Sequence, residues 1–438
     1  MKIALINSQQ DLAGSQIRNH IEELLKGSSR DALQGSGRTY EFYEVKGRLI
    51  FADRVDRQID ADLLIFLSRH SSINPIPVLT VHVTGNTGKA ELGGASQSLS
   101  PTNPVMMQAV LRQLFKHCPS GYRVSYEVTH HGPTELSIPS FFVEIGSTEK
   151  EWVDQRAGEA VAKSVLEAAP IDAIPLIGFG GNHYAARQTE IAINSRGAFG
   201  HIVHSREVGL LDEALIHQMQ EKTGAVAAYI DKKALQKEVL KKLTNQLHAL
   251  QINRLSESEI VGIGSLSWKM YCEIRDLTTS ISKEARCHIH AIDTNGQLEK
   301  VSVNPVLLSE VQKVDEQAFL QGLDELPVIH LSGRENRLLP VFITYAKYTT
   351  RIINDLNTLC VKIIRIKEII AQDGDHLIIK KVRFDPDKAR NLGVPQGPLY
   401  KALAAGQSVE VSGRVVTPAM VSSSNEIRIH IPGLENIS

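Results

Sequence analysis

Over its first 250 or so residues the chain alternates short apolar runs with amphipathic segments of helical period, and this alternation restricts the fold most. Runs at 2–7, 62–67, 78–83, 123–129, 141–145, 174–179, 201–204 and 225–230 read as strands. Between them Ile17, Ile21, Leu24 and Leu25 recur at helical spacing, as do Met106, Ala109, Val110, Gln113 and Leu114. Thr148 with Glu151 supplies a capping box ahead of a helix expected over 152–168. Strands separated by helices predict a mainly parallel sheet covered on both faces, an α/β class. A helix over 232–250, with Leu235, Val239, Leu243 and Leu247 on one stripe, is expected to close this first domain at about residue 250. Its second stripe, Lys233, Lys237 and Lys241, reads as a solvated face. The polar run 251–259 marks a boundary, and short strands such as 287–292, 328–331 and 377–382 predict a smaller α+β region over 260–438.

Composition removes several function classes. Four widely spaced cysteines without a C-x-x-C pair argue against a disulfide framework and a thiolate zinc knuckle. The opening apolar run meets Asn7 at once, and nothing approaches the ~20 apolar residues of a bilayer span, so neither a signal peptide nor a membrane anchor is expected. A cytoplasmic protein with reduced thiols is the expectation. With 48 Lys+Arg against 49 Asp+Glu, nucleic-acid binding would have to come from a local patch.

Sixteen histidines are more informative, because several fall where strands end, the edge that lines ligand crevices in α/β sheets. Ser68-Arg69-His70-Ser71-Ser72 follows one strand, either as crevice lining or as an ordinary polar loop. The run 82–89, with His82, Thr84, Gly85, Asn86 and Lys89, leads to Gly93-Gly94; its glycines and Lys89 could cradle phosphates, or form a plain turn. It is not a Walker loop, since Ala90 stands where a Ser or Thr would hold magnesium. His130 and His131 would point to opposite faces of a regular strand, and both turn into the crevice only if the strand frays before Gly132-Pro133. Glu144 lies inside an apolar strand, where burial would demand a metal, Arg or His partner and an edge position would not. His183 and Tyr184 close another strand-end turn, and His201 and His204 flank a further strand with lower weight. There is no H-E-x-x-H and no G-x-S-x-G, so the zincin and serine-hydrolase templates fail. Dispersed His and Glu remain, compatible with one or two zinc ions, whose bound water is a nucleophile near neutral pH.

Taken in order, these blocks resemble the archaeal and plant type of D-aminoacyl-tRNA deacylase. The resemblance is carried by 68–72, by 82–89 with Gly93-Gly94, by 130–136 and 139–142, by 144–147 with Trp152, by 156–159, by Gly180-Gly181 with His183-Tyr184-Ala185, and by 198–202. It covers residues 1 to about 235, and Asn182 departs from the pattern, which touches only the shape of its loop. The resemblance implies a three-layer α/β/α phosphorylase/hydrolase-like domain, zinc as cofactor, and hydrolysis of the ester joining a D-amino acid to the tRNA 3′ end. On this reading His82, His130, His131 and Glu144 are the metal candidates, and His130, His131, Glu144 and His70 the catalytic ones. Thr84, Gly85, Asn86, Lys89, His183 and Tyr184 are the substrate-binding candidates. The expected partner is the acceptor end of D-aminoacyl-tRNA, with no membrane and a monomeric protein. A phosphorylase or zinc peptidase on the same fold, and an RNA-binding protein with structural histidines, are the alternatives.

Within the C-terminal region, 388–400 and 413–416 resemble a segment of metallo-β-lactamase-type tRNA 3′-end processing nucleases but lack their metal motif; the segment reads as an RNA-contacting or substrate-end element or, at least as readily, as a reused packing motif. Cys287-His288-Ile289-His290 looks metal-like, yet alternation sends both histidines to one face and Cys287 to the other, which reads as structural.

Overall fold

The computed structural model describes residues 1–26, 37–292 and 296–436. It divides into two compact units, Met1–Gly264 and Ser265–Ser438. Both mix helices with sheet, and unit 1 contains parallel and antiparallel strand pairs. Among the described residues no helix is long and apolar enough to cross a membrane.

Unit 1 carries β1 (Lys2–Ser8), β2 (Thr39–Val45), β3 (Leu63–Arg69), β4 (Val78–His82), the two-residue β5 (Gly85–Asn86) and β6 (Ser98–Leu99), β7 (Arg123–Tyr126) and β8 (Ser140–Gly146). It continues with β9 (Ile174–Phe179), β10 (Gly197–Val203), β11 (Ala227–Ile230) and β12 (Arg254–Leu255). Instead of one sheet these form two principal ones, a six-stranded sheet in the order β2-β1-β3-β8-β4-β7 and a four-stranded sheet β10-β9-β11-β12. All pairs are parallel except β8 with β4. The central strands β3 and β8 are buried along nearly their whole length, which is why they read as continuous apolar runs. Edge strand β2, TYEFYEV, is half exposed, and its alternating polar residues hide it from an apolar-run criterion.

Helix Pro104–His117 joins the two sheets. Its buried Gln108 donates from Nε2 to the carbonyls of Ala192, Ser195 and Gly197 at 3.0, 3.1 and 2.8 Å, fixing the turn that feeds β10. Where β7 ends, the backbone crosses to the second sheet: Val128 N–H donates to the His183 carbonyl at 2.9 Å and Thr129 N–H to that of Ile202 at 2.7 Å. The ends of β3, β4 and β7 are thereby brought beside the turn that follows β9.

Three expectations need correction. The capping box at Thr148 and Glu151 is present but opens a one-turn helix, Glu149–Trp152; Asp154 then caps a separate helix, Gln155–Glu167. The lysine-striped helix begins only at Lys237, after a 3-10 turn at Lys232–Ala234. The polar run 251–259 is not a linker: β12 pairs with β11, and Ser256 with Glu259 caps helix Glu257–Gly262. Glu257 binds Arg187 at 2.6 Å, and Ile260 is buried against Gly197, so the first unit runs past residue 250 to Gly264.

In unit 2 a four-stranded antiparallel sheet packs with helices Pro305–Leu323 and Thr349–Ile364 around a core that includes Leu307, Phe319, Phe342 and Leu356. Residues 384–421 bury their own small core of Ala389, Val394, Leu403, Val409, Val416 and Val421, in line with the packing reading. His288 and His290 do share a face. His288 Nε2 lies 2.9 Å from Ser332 Oγ, and His290 lies between Asp324 and His330 at 2.8 and 2.7 Å.

Gly14, in helix Leu12–Lys26, packs against β3 so closely that a Cβ would lie 2.3 Å from the Leu67 carbonyl oxygen. Gly14→Ala should therefore destabilise unit 1 by about 1–3 kcal/mol, read as a lowered first transition in calorimetry, despite the better helix propensity of alanine.

Candidate functional site

The strand termini converge on one carboxylate. Glu127, directly after β7, is 2% exposed and is surrounded by imidazoles: Oε1 lies 3.0 Å from His70 Nδ1, and Oε2 lies 3.0 Å from His183 Nε2, 3.4 Å from His130 Nε2 and 4.0 Å from His82 Nδ1. Neither oxygen has a partner in good hydrogen-bond geometry, and the fully buried His82 Nδ1 is likewise unsatisfied. The close approaches to Glu127 are thus charge contacts more than aligned hydrogen bonds.

The members of the cluster arrive from different segments. His70 follows β3, His82 ends β4, and Glu144 stands inside β8 between them, 3.6 Å from His70. The edge alternative for Glu144 is excluded, since β8 is an interior strand and the residue is 3% exposed. His130 pairs with Thr84 as an isolated bridge, and His131 adopts φ 47°, a left-handed turn that an L-residue rarely takes. That turn brings both neighbouring imidazoles to one side, with ring centroids 4.4 Å apart and His131 Nε2 3.2 Å from His82 Nε2. Three sets have ligand atoms close enough to share an ion: His82, His130 and His131; His70, Glu127 and His183; and His82, Glu127 and Glu144.

Charge is distributed unevenly across the cluster. Burial works against a proton on His70, but its close contacts with the Glu127 and Glu144 carboxylates prevail and raise it to about 11. Burial and neighbouring imidazoles hold His82 well below its usual range and take His130 to about 4 and His131 to about 3. Burial lifts Glu144 to about 7, whereas the histidines keep Glu127 ionised despite its burial. The neutral imidazoles of His82, His130 and His131 beside an ionised carboxylate are a donor set suited to a borderline cation such as zinc.

A cavity of about 450 Å³ opens onto the cluster, and His70, His130, His131, Glu144 and His183 line one part of it. Tyr184 sits behind, its hydroxyl 3.3 Å from His70 Nε2. Of the loop after β4, Leu92 lines the cavity, but Thr84, Gly85, Asn86 and Lys89 do not. Thr84 Oγ1 is bonded to Ser100 Oγ and the Pro133 carbonyl at 3.0 and 2.6 Å, Asn86 Nδ2 donates to the Gly93 and Ala95 carbonyls at 2.8 and 3.2 Å, and Gly85 is packed under Leu99 and Thr129. Lys89 is exposed and does not line the cavity. Thr84, Gly85 and Asn86 thus hold the loop beside His131, and Lys89 stands at its exposed surface, so the cavity lining does not include these four substrate-binding candidates. His201 lies outside the cavity, bridging Thr129 Oγ1 at 3.1 Å and the Ser100 carbonyl at 2.9 Å, and His204 accepts from Arg206 N–H as a helix cap.

Comparison with known proteins bears on this arrangement. A family model described as D-aminoacyl-tRNA deacylase matches residues 57–255, which span every member of the cluster. A D-aminoacyl-tRNA deacylase of Methanoregula boonei is 58% identical over all of both chains. The chain belongs to the D-aminoacyl-tRNA deacylase family. A second deacylase, from Methanoculleus marisnigri, is 51% identical over 99% of each chain, so the family likeness extends through unit 2 and beyond the 1–235 that carry the resemblance in sequence. A crystal structure described as a conserved protein of unknown function aligns at 31% identity with TM-score 0.54, covering 60% of this chain and 96% of its own.

Glu127 is not among the site candidates read from the sequence, although it carries the same signal as Glu144, an ionisable residue closing an apolar run. Arg48, Arg69 and Trp152 also line the cavity, Arg48 from a loop without any motif.

His201 fixes the segment that leads to the His130-His131 pair from behind. His201→Ala removes the imidazole from the Ser100 carbonyl and leaves Thr129 Oγ1 only the Ile202 N–H, and should cost about 1–3 kcal/mol in thermal or denaturant unfolding of unit 1.

Proposed function

We propose that this chain hydrolyses the ester bond of D-aminoacyl-tRNA, releasing the D-amino acid and free tRNA, and does so with zinc held by the cluster around Glu127. The observation that carries the metal reading is the orphaned Glu127 carboxylate, buried at 2% exposure with four imidazole nitrogens within 3.0–4.0 Å and none in good hydrogen-bond geometry. Such a group is stable in a protein interior when a cation compensates it. His82, His130 and His131 would form one ligand set, and Glu127 with His70 and His183 or with His82 and Glu144 a neighbouring one. Zinc at such a site supplies a Lewis acid and a water of lowered pKa.

The chain's own groups supply the rest. His70 is held on Nδ1 by Glu127 and Glu144, with Nε2 turned toward Tyr184, so its ring orientation is fixed by contacts at both nitrogens. His183 Nε2 contacts Glu127 while the ring borders the cavity, placing it to hold a proton near the departing ribose oxygen. An alkoxide leaves more readily than an amide nitrogen, so the reaction needs no serine or cysteine nucleophile, in line with the missing nucleophile motifs. The two sheets of unit 1, with helices packed against them, fit a three-layer phosphorylase/hydrolase-like arrangement, on which the deacylase reading places the site at the strand ends.

Purified protein should deacylate D-tyrosyl-tRNA much faster than L-tyrosyl-tRNA, lose the activity on chelation and regain it with zinc. Equal rates on the two enantiomers would refute chiral proofreading, and chelator-insensitive turnover would refute the metal. His130→Ala and Glu127→Ala should lower bound zinc, measured by elemental analysis, and cut the rate by about 100-fold or more.

A further inference from the structure

The cavity that opens onto the histidine cluster has a second chemical character. Beside the imidazoles it is lined by two guanidinium groups, Arg48 and Arg69, neither of which forms an ion pair with a carboxylate among the described residues. Elsewhere in unit 1 five arginines are paired, Arg18 with Glu22, Arg54 with Glu135, Arg156 with Asp154, Arg187 with Glu190 and Glu257, and Arg196 with Asp172, but none of these lines the cavity. Asp11, the acid on the cavity wall near them, turns its oxygens to the backbone N–H of Gly14 and Arg69 and to Ser68 Oγ, and Arg69 Nη1 reaches the Gln10 carbonyl at 3.4 Å, so neither arginine is held by a carboxylate. Two guanidiniums without a carboxylate partner on one cavity suit an anion, and their planar forks match phosphate oxygens.

Both groups are fixed relative to the cluster. Arg69 is the residue before His70, and its guanidinium lies 4.9 Å over the ring of Trp152. Trp152 Nε1 in turn donates to the His70 carbonyl at 2.9 Å, so one indole ties Arg69 to His70. Arg48 rests against Phe51 at the start of a loop whose Ile50 carbonyl touches Gly93 and Gly132, the residue after His131. Lys89, by contrast, stays outside the cavity.

We propose that Arg48 and Arg69 form a phosphate subsite that holds the 5′-phosphate of the terminal nucleotide carrying the aminoacyl ester. The proposal rests on the deacylase reading, under which the ester lies at the histidine cluster and a single ribose separates it from that phosphate. The subsite fixes the ribose between two points, so that the ester is oriented by groups that never touch the amino acid.

The test compares ligands with and without the phosphate. Adenosine 5′-monophosphate should bind the full chain about tenfold more tightly than adenosine by calorimetry, and Arg48→Ala or Arg69→Ala should erase that difference while leaving zinc content unchanged. In kinetics each variant should lose about tenfold or more in kcat/KM on D-tyrosyl-tRNA and nothing on 2′(3′)-O-D-tyrosyl-adenosine, which lacks the phosphate. Equal binding of the two nucleosides by the parent protein, or equal losses on both esters, would overturn the subsite. Absence of any D-tyrosyl-tRNA hydrolysis by the parent would instead strike the deacylase reading, and the binding comparison would still decide the subsite on its own.

Discussion

An ionised carboxylate removed from water must be compensated, and the Glu127 environment organises the first unit around that demand. Three imidazoles nearby, on His82, His130 and His131, are themselves too buried to accept a proton, so they offer lone pairs and no charge. His70 alone among the cluster is driven strongly toward the charged form, and it is shared with Glu144. One cationic imidazole against two buried acids leaves lone pairs in surplus at the centre. Everything that shapes the site serves to keep those donors in place: β8 wedged between β3 and β4, the backbone crossing from β7 to β10, and the left-handed turn at His131.

Much of this was legible in the sequence because burial on both faces of a sheet writes itself as an uninterrupted apolar run. β1, β3, β4, β8 and β9 fall where the runs place them, and His70, His82, His130, His131, Glu144 and His183 do meet. What escaped is what periodicity does not encode. Edge strand β2 keeps polar residues on its open face. The polar segment 251–259 pairs through its backbone, to which side-chain polarity is indifferent. The glycine-rich loop after β4 looks like an anion cradle because glycine permits close approach, but the partner approaching it is another stretch of this chain.

Unit 2 illustrates the opposite limit. Its strands and its small 384–421 core follow from patterning, and the face shared by His288 and His290 follows from alternation. Their near neighbour His330 comes from β-pairing forty residues away, a contact that no local spacing announces. Relatives of full length carry this unit, whereas the aligned crystal structure covers 60% of the chain.

The loops that enclose the cavity meet backbone to backbone. A Cβ on Gly132 would fall 2.4 Å from the Gly94 nitrogen and 2.6 Å from the Ile50 carbonyl oxygen, and one on Gly93 would overlap that same oxygen. Side chains can repack around a neighbour's substitution; main chains in mutual contact cannot. The wall between the arginines and the histidines is therefore a rigid spacer whose width is written in peptide geometry. Differences in the shape of the cavity must consequently come from side chains projecting into it, while the width of this wall stays constant.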